Sequence, residues 1–233
     1  MLTQRYKSRY QFIFCLFFQK ITIFPIFVHT ILPLKRYTRL MNILIIYSYP
    51  HHDSLNGKIL DTVLQNIDKT HTVKTIDLYQ DNFNPVLSFD KVHKRRDLQY
   101  YQETQAYRDA ITSSDHIIFI FPIWWSGMPA ILKGFIDRVF VQNFAYAYAP
   151  KKLMPIKLLK GRTADIIVTH DTPYLFAKLV QKDYGHILKK QILADMCGIK
   201  VTKMLSLPNV KNSNLKQRQI FLKKVGTYFQ KLR

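Results

Sequence analysis

Three short stretches concentrate the side chains that can do chemistry. The first, YSYPHHDSLN (Tyr47–Asn56), ends in a serine and an asparagine where a helical pattern begins. A hydroxyl, the free N–H groups of a helix start and the positive end of its dipole together make a site for an anion. Ser54 and Asn56 are the donors there, though from this loop alone the plain N-cap reading of Ser54 stands ahead, because N-cap serines are common. The second stretch, FPIWWSGMP (Phe121–Pro129), holds both tryptophans of the chain between two prolines. Backbone N–H groups of Ile123, Trp124, Trp125, Ser126 and Gly127, flanked by the indoles, suit a planar heterocycle that gains electron density on reduction, as a flavin does. Packing of the domain or of a dimer surface is the other use for such tryptophans. The third stretch, THDTPYLF (Thr169–Phe176), brings Thr169, His170 and Asp171 toward the same crevice. Tyr174, and His186 farther on, are candidate proton donors to a substrate oxygen.

Other chemistries find less support. His51 and His52 invite a metal, but no further ligand stands at a supportive spacing, so no metal site is expected. Neither G-x-G-x-x-G nor G-x-x-x-x-G-K follows the first apolar run, which disfavours a nicotinamide Rossmann fingerprint and a nucleotide-hydrolysing loop. The two cysteines, Cys15 and Cys197, lie far apart. They make no disulfide framework or zinc site and fit a reducing, cytoplasmic compartment. The formal net charge is +20. A basic surface favours anionic partners, but nucleic-acid binding has charge alone behind it and is not expected.

These loops need a scaffold. Apolar runs at 42–48, 116–122 and 163–170 read as buried strands, with further strands at 72–78 and 199–205. Helical patterns cover 54–67, 98–114, 129–141, 183–196 and 214–231. Pro122 closes its strand because it has no N–H for the ladder, and Pro129 suits a first helical turn. Strands alternating with helices predict a three-layer, doubly wound α/β fold: a five-stranded parallel sheet with helices on both faces. In such a sheet the loops after Ser48, Pro122 and His170 share the carboxyl edge, where ligands bind. Residues 144–161 read as a long connection that can cover this edge.

Residues 1–40 differ in kind. They are aromatic and basic, with seven Lys and Arg and no acid. Gln19, Lys20, Pro25 and His29 interrupt the apolar stretch, which makes it a poor span and a poor signal peptide. The expectation is an N-terminal extension, from an upstream start or for membrane association, the latter not favoured. The folded domain is expected to occupy 41–233. That part keeps 28 basic and 15 acidic residues, a charge of +13.

FPIWWSGMPAILKGFIDRVF (Phe121–Phe140) resembles the signature of the flavodoxin-like NAD(P)H:quinone oxidoreductases. DLYQDNFNPVLS (Asp77–Ser88), YSYPHHDSLN and FAYAY (Phe144–Tyr148) resemble other pieces of the same family, in order, over about residues 41–210. The resemblance implies a flavodoxin-like fold and hydride transfer from NAD(P)H through bound flavin to a quinone or similar acceptor, with ping-pong kinetics. It implies that Ser54, Leu55 and Asn56 hold the flavin phosphate, with Tyr49 beside it. Pro122, Ile123, Trp124 and Trp125 hold the isoalloxazine, and Thr169 and Asp171 complete the pocket. Tyr174 and His186 stand for the tyrosine and histidine that assist hydride transfer. FMN is expected ahead of FAD, since no segment is left over to hold an adenosine. Lys151 and Lys152 are placed to attract the dinucleotide phosphates, and a homodimer is implied. The third loop departs from the T-T-G-G-S of well-known members and resembles a shorter bacterial branch, which includes ancillary oxidoreductases of potassium efflux systems. The alternatives are a regulatory flavoprotein subunit of a membrane transport system and a single-electron flavin carrier.

Overall fold

A computed structural model of the chain describes residues 40–92, 94–177, 179 and 185–232. The expectations for residues 1–40 therefore fall, except at Leu40, outside the described residues.

The run NILIIY forms β1 (Asn42–Tyr47), buried from Ile43 onward. A strand with no polar side belongs inside a sheet covered on both faces. β2 (Thr72–Asp77) follows, and β3 (His116–Pro122) is buried at every residue. A two-stranded antiparallel ribbon, β4 (Tyr146–Ala147) with β5 (Ile156–Lys157), lies within the connection read as loop. β6 (Thr163–Thr169) is the third buried strand, and β7 (Lys200–Leu207) is the last. The main sheet runs β2-β1-β3-β6-β7, every neighbour parallel. β2 and β7 each expose three of their first four residues, as edge strands can.

Side chains alternate across each strand and feed two core layers. Ile43, Ile45, Tyr47, Ile118 and Ile120 pack against α1 (Leu55–Asn66) and α5 (Leu215–Phe229). Leu44, Ile46, Ile117, Phe119 and Phe121 pack on the other side against α2 (Gln105–Ser113), α3 (Ala130–Val139) and α4 (Ile187–Cys197). The doubly wound expectation holds.

Two helices differ from their sequence reading. The polar segment 98–114 is not one helix: 3₁₀ turns at Arg95–Tyr100 and Gln102–Thr104 precede α2. The cause is Arg108, buried to 2% exposure. Its guanidinium donates to the carbonyls of Leu98 and Tyr101, which a continuous helix would bond within itself. The helix read at 183–196 is of π type, Ile187–Cys197. No helix of the described residues is long and apolar enough to cross a membrane.

Candidate functional site

The switch in strand order lies between β1 and β3, and the three loops meet there. Ser54 is the N-cap of α1: its hydroxyl accepts from the Gly57 N–H at 3.0 Å and donates to the His51 carbonyl at 3.0 Å. The N-cap reading is thus what its hydroxyl does. The N–H groups of Leu55 and Asn56 have no partner among the described residues, and the first turn of α1 holds no acid. The positive end of the helix therefore stays open to an anion.

The loop before it is pinned from several sides. The Tyr47 phenol lies 3.4 Å from the His51 carbonyl, and burial pushes its pKa up to about 12, so it stays a neutral donor. The Ser54 N–H donates to the His52 carbonyl at 2.7 Å. His52 Nε2 lies 2.5 Å from a carboxylate oxygen of Asp77, whose other oxygen accepts from the N–H groups of Tyr79 and Gln80. Gly57 makes the packing possible. A Cβ there would stand 1.8 Å from the His52 carbonyl oxygen.

The second loop is a tight hairpin. Trp124 and Gly127 exchange both backbone hydrogen bonds at 2.9 Å, with Trp125 and Ser126 between them at φ 50° and 63°. Two left-handed residues in succession form the turn that matches strand twist, normally given to Asn and Gly. Outside glycine each costs about 1–2 kcal/mol. Such strain persists only where surrounding contacts impose it, and it gathers at functional sites. The turn leaves Trp125 fully exposed, while Trp124, 41% exposed, has its ring 6.1 Å from that of Tyr49. The N–H of Ile123 goes to the Thr169 carbonyl at 2.8 Å. The open donors of this loop are consequently those of Trp125 and Ser126, not of Ile123 and Trp124.

Thr169 joins the loops. Its hydroxyl donates to Asn56 Oδ1 at 3.2 Å, and both residues are buried. Asn56, Thr169 and Ile123 thus form one hydrogen-bonded junction across β1, β3 and β6. The rest of the third loop turns toward β7. His170 Nε2 lies 2.9 Å from Ser206 Oγ, and burial holds its pKa below the ordinary range. An oxygen of Asp171 accepts from the Lys211 N–H at 2.8 Å. Tyr174 opens a helical turn, Tyr174–Phe176. His186 is exposed just before α4 and makes no hydrogen bond to the three loops among the described residues. Lys151 and Lys152 stand exposed in the turn between β4 and β5.

Behind the hairpin, α3 is fixed by the segment Asp77–Ser88. A Cβ at Gly134 would lie 2.2 Å from the Pro85 carbonyl oxygen, so the glycine admits that loop. The Arg138 guanidinium, 6% exposed, donates to the Asn84 carbonyl, reaches Glu103 at 2.5 Å and stacks over Phe83 at 5.5 Å. A pocket of about 230 Å³ beside the hairpin is lined by Phe121, Gly127, Met128 and Leu188. A groove of about 590 Å³ runs along α3 past Arg95, Tyr146 and Met196. Neither is lined by Ser54, Trp124 or Thr169.

The residues present fit a phosphate-bearing flavin. Two N–H groups at a helix start and two at the strained hairpin have no partner among the described residues, the first pair suited to a phosphate. Ser48, just past the end of β1, is wholly buried, and its hydroxyl has no partner among the described residues. Sequence reasoning missed Ser48, Gly57 and the His52–Asp77 pair. The only signal was a glycine in the first turn of a helix, where it weakens the helix and so asks for a packing reason.

Comparison with known proteins agrees with the fold. A family model described as a flavodoxin-like fold matches residues 41–231. The crystal structure of Smu.1420 from Streptococcus mutans UA159 is 50% identical, with a TM-score of 0.79 over 82% of this chain and 100% of that one. An uncharacterized NAD(P)H oxidoreductase of Haemophilus influenzae is 36% identical over 108 residues, 46% of this chain and 54% of that protein. NAD(P)H dehydrogenase [quinone] 1 of Rattus norvegicus is 32% identical over 124 residues, 46% of each. The aligned part spans about half the length of these curated relatives.

Proposed function

The chain belongs to the flavodoxin-like fold family, and from that premise we propose that it is a flavin-dependent NAD(P)H oxidoreductase with a quinone or similar acceptor. The observation that carries this reading is the Asn56–Thr169–Ile123 junction, which fuses an open helix start and a strained tryptophan hairpin into one rim. Bound flavin supplies hydride acceptance and return.

The chain's own residues bind and orient. Leu55 and Asn56 N–H groups hold the phosphate, with Ser54 capping the helix and Tyr49 beside it. Pro122 and Ile123 carry the hairpin, whose open Trp125 and Ser126 N–H groups would stabilise the negative charge that a bound flavin gains on reduction. Trp124 and Tyr49 wall the ring from water. Thr169 and the segment through Asp171 close the far side, Tyr174 and His186 are the proton donors, and Lys151 and Lys152 attract the dinucleotide phosphates. We take the group to be FMN, with FAD the alternative. Residues 41–233 form the catalytic domain, 1–40 an extension, and the protein works in the cytoplasm. The working unit is a homodimer, supported by Trp125, Leu153 and Met154, which stand out of the chain with nothing covering them among the described residues.

The test is to purify the full chain, release any chromophore by denaturation and identify it, then follow NAD(P)H oxidation with a soluble benzoquinone. The expected result is FMN and quinone-dependent oxidation. A folded chain that stays colourless after incubation with FMN and FAD overturns the reading. Flavin that NADH and NADPH both fail to reduce points to the one-electron carrier instead.

A further inference from the structure

The stretch after Asp195 contains nine Lys and Arg and no Asp or Glu. Within it lie β7 and α5, one edge of the sheet with the helix that covers it. On α5, Lys216, Ile220, Lys223, Lys224 and Thr227 recur at helical spacing within a narrow arc, Lys231 follows just past its C-terminal end, and all six are exposed. The opposite arc, Phe221, Val225 and Phe229, is buried.

Between this arc and β7 lies an open groove of about 450 Å³. Lys203, Lys223, Lys224 and Lys231 rim it, with Leu205, Ile220 and Tyr228 as its apolar lining. Lys203 stands 5.9 Å over the Tyr228 ring. None of these four lysines is paired with a carboxylate among the described residues. Elsewhere cations do find partners: Lys133 meets Asp137 at 2.6 Å, and Arg138 meets Glu103 at 2.5 Å.

We propose that the β7–α5 face is a docking surface for an anionic lipid bilayer. Three features favour a diffuse anionic plane over a defined acidic partner. Lysine is a mobile point charge, whereas bidentate recognition of one carboxylate or phosphate calls for arginine. The single arginine of α5, Arg218, is committed inward to Ser213 Oγ at 2.8 Å and the Val210 carbonyl at 3.1 Å. Among the lysines sits Ile220, 60% exposed, an apolar side chain able to enter the headgroup layer. Polybasic faces of this kind bind anionic leaflets through surface potential, within a Debye length.

The experiment is flotation of the full chain with vesicles of phosphatidylcholine alone and of phosphatidylcholine with phosphatidylserine. The expected result is binding to the second only, lost on raising salt. Lys223→Gln with Lys224→Gln should lower partitioning about thirtyfold, at about one kcal/mol per lysine near the surface. Lys91→Gln with Lys94→Gln, exposed lysines in the loop before residue 95, should change it little. Ile220→Gln leaves the charge intact and should lower vesicle binding about tenfold, with duplex DNA binding unchanged. All variants must share the parent melting transition, as exposed substitutions should. Failure to bind the anionic vesicles, or binding insensitive to residues 220, 223 and 224, overturns the proposal. So does a preference for DNA that Ile220→Gln leaves untouched together with the vesicle binding.

Discussion

Replacing Gly57 by alanine sets two effects against each other. In an unobstructed helix the change is favourable by roughly 0.5–1 kcal/mol. Here the new methyl would lie 1.8 Å from the His52 carbonyl oxygen, where side chains do not approach within 3.0 Å. The obstacle is backbone, so the loop must retreat by at least the difference, 1.2 Å. That retreat pulls on the Ser54 N–H bond to His52 at 2.7 Å and the His52–Asp77 contact at 2.5 Å. Overpacking of this kind costs about 1–3 kcal/mol. The net expectation is a loss of up to about 2 kcal/mol, measured by urea unfolding of the apoprotein. The same shift moves the Leu55 and Asn56 N–H groups off the anion. FMN affinity should therefore fall at least tenfold, about 1.4 kcal/mol, with riboflavin affinity nearly unchanged. Gly226→Ala is the control, because its nearest neighbour is the Asn66 side chain at 3.1 Å, which can move. A Gly57→Ala protein that is more stable than the parent and keeps its preference for FMN over riboflavin would refute the reasoning.

Arg138→Ala should cost about 2–3 kcal/mol in unfolding experiments, since it orphans the Asn84 carbonyl and removes the cation over Phe83. Little of that comes from Glu103, whose side chain is 58% exposed. Ser126→Gly should raise stability by about 1 kcal/mol by relieving a left-handed backbone, visible as a higher melting temperature. Burial holds His170 below its ordinary 6.5, opposed by a backbone bond at Thr172 and by Asp171. As pH falls below 6.5 the unfolded chain takes up this proton before the folded one, so stability declines until the folded histidine is protonated too. Urea unfolding above and below pH 6.5 should show that slope, and His170→Gln should reduce it.

The layer architecture was legible because buried parallel strands announce themselves. NILIIY, HIIFIFP and TADIIVT have no solvent side, and only a doubly covered sheet accommodates them. The α3 stripe and its prolines were equally plain. Segment 98–114 was misread because nothing local says that Arg108 will be buried and will take the carbonyls of Leu98 and Tyr101. The β4–β5 ribbon was missed because strands of two residues carry no periodicity.

Sequence alone fixed which loops reach the carboxyl edge, since parallel chain direction follows from alternating β and α units, while the strand order came from the tertiary structure. It also marked Ser54, Asn56, the tryptophan pair and Thr169 as the chemistry there. Tertiary structure decided which donors stay open. The Ser54 hydroxyl and the Ile123 and Trp124 N–H groups are consumed by neighbours, leaving those of Leu55, Asn56, Trp125 and Ser126. The physical reason is that a hydrogen-bond donor is spent by whatever acceptor the fold brings within about 3 Å of it. For Asn56, Thr169 and Gly57 that neighbour comes from another loop, or from a turn packed so closely that one methyl would displace it.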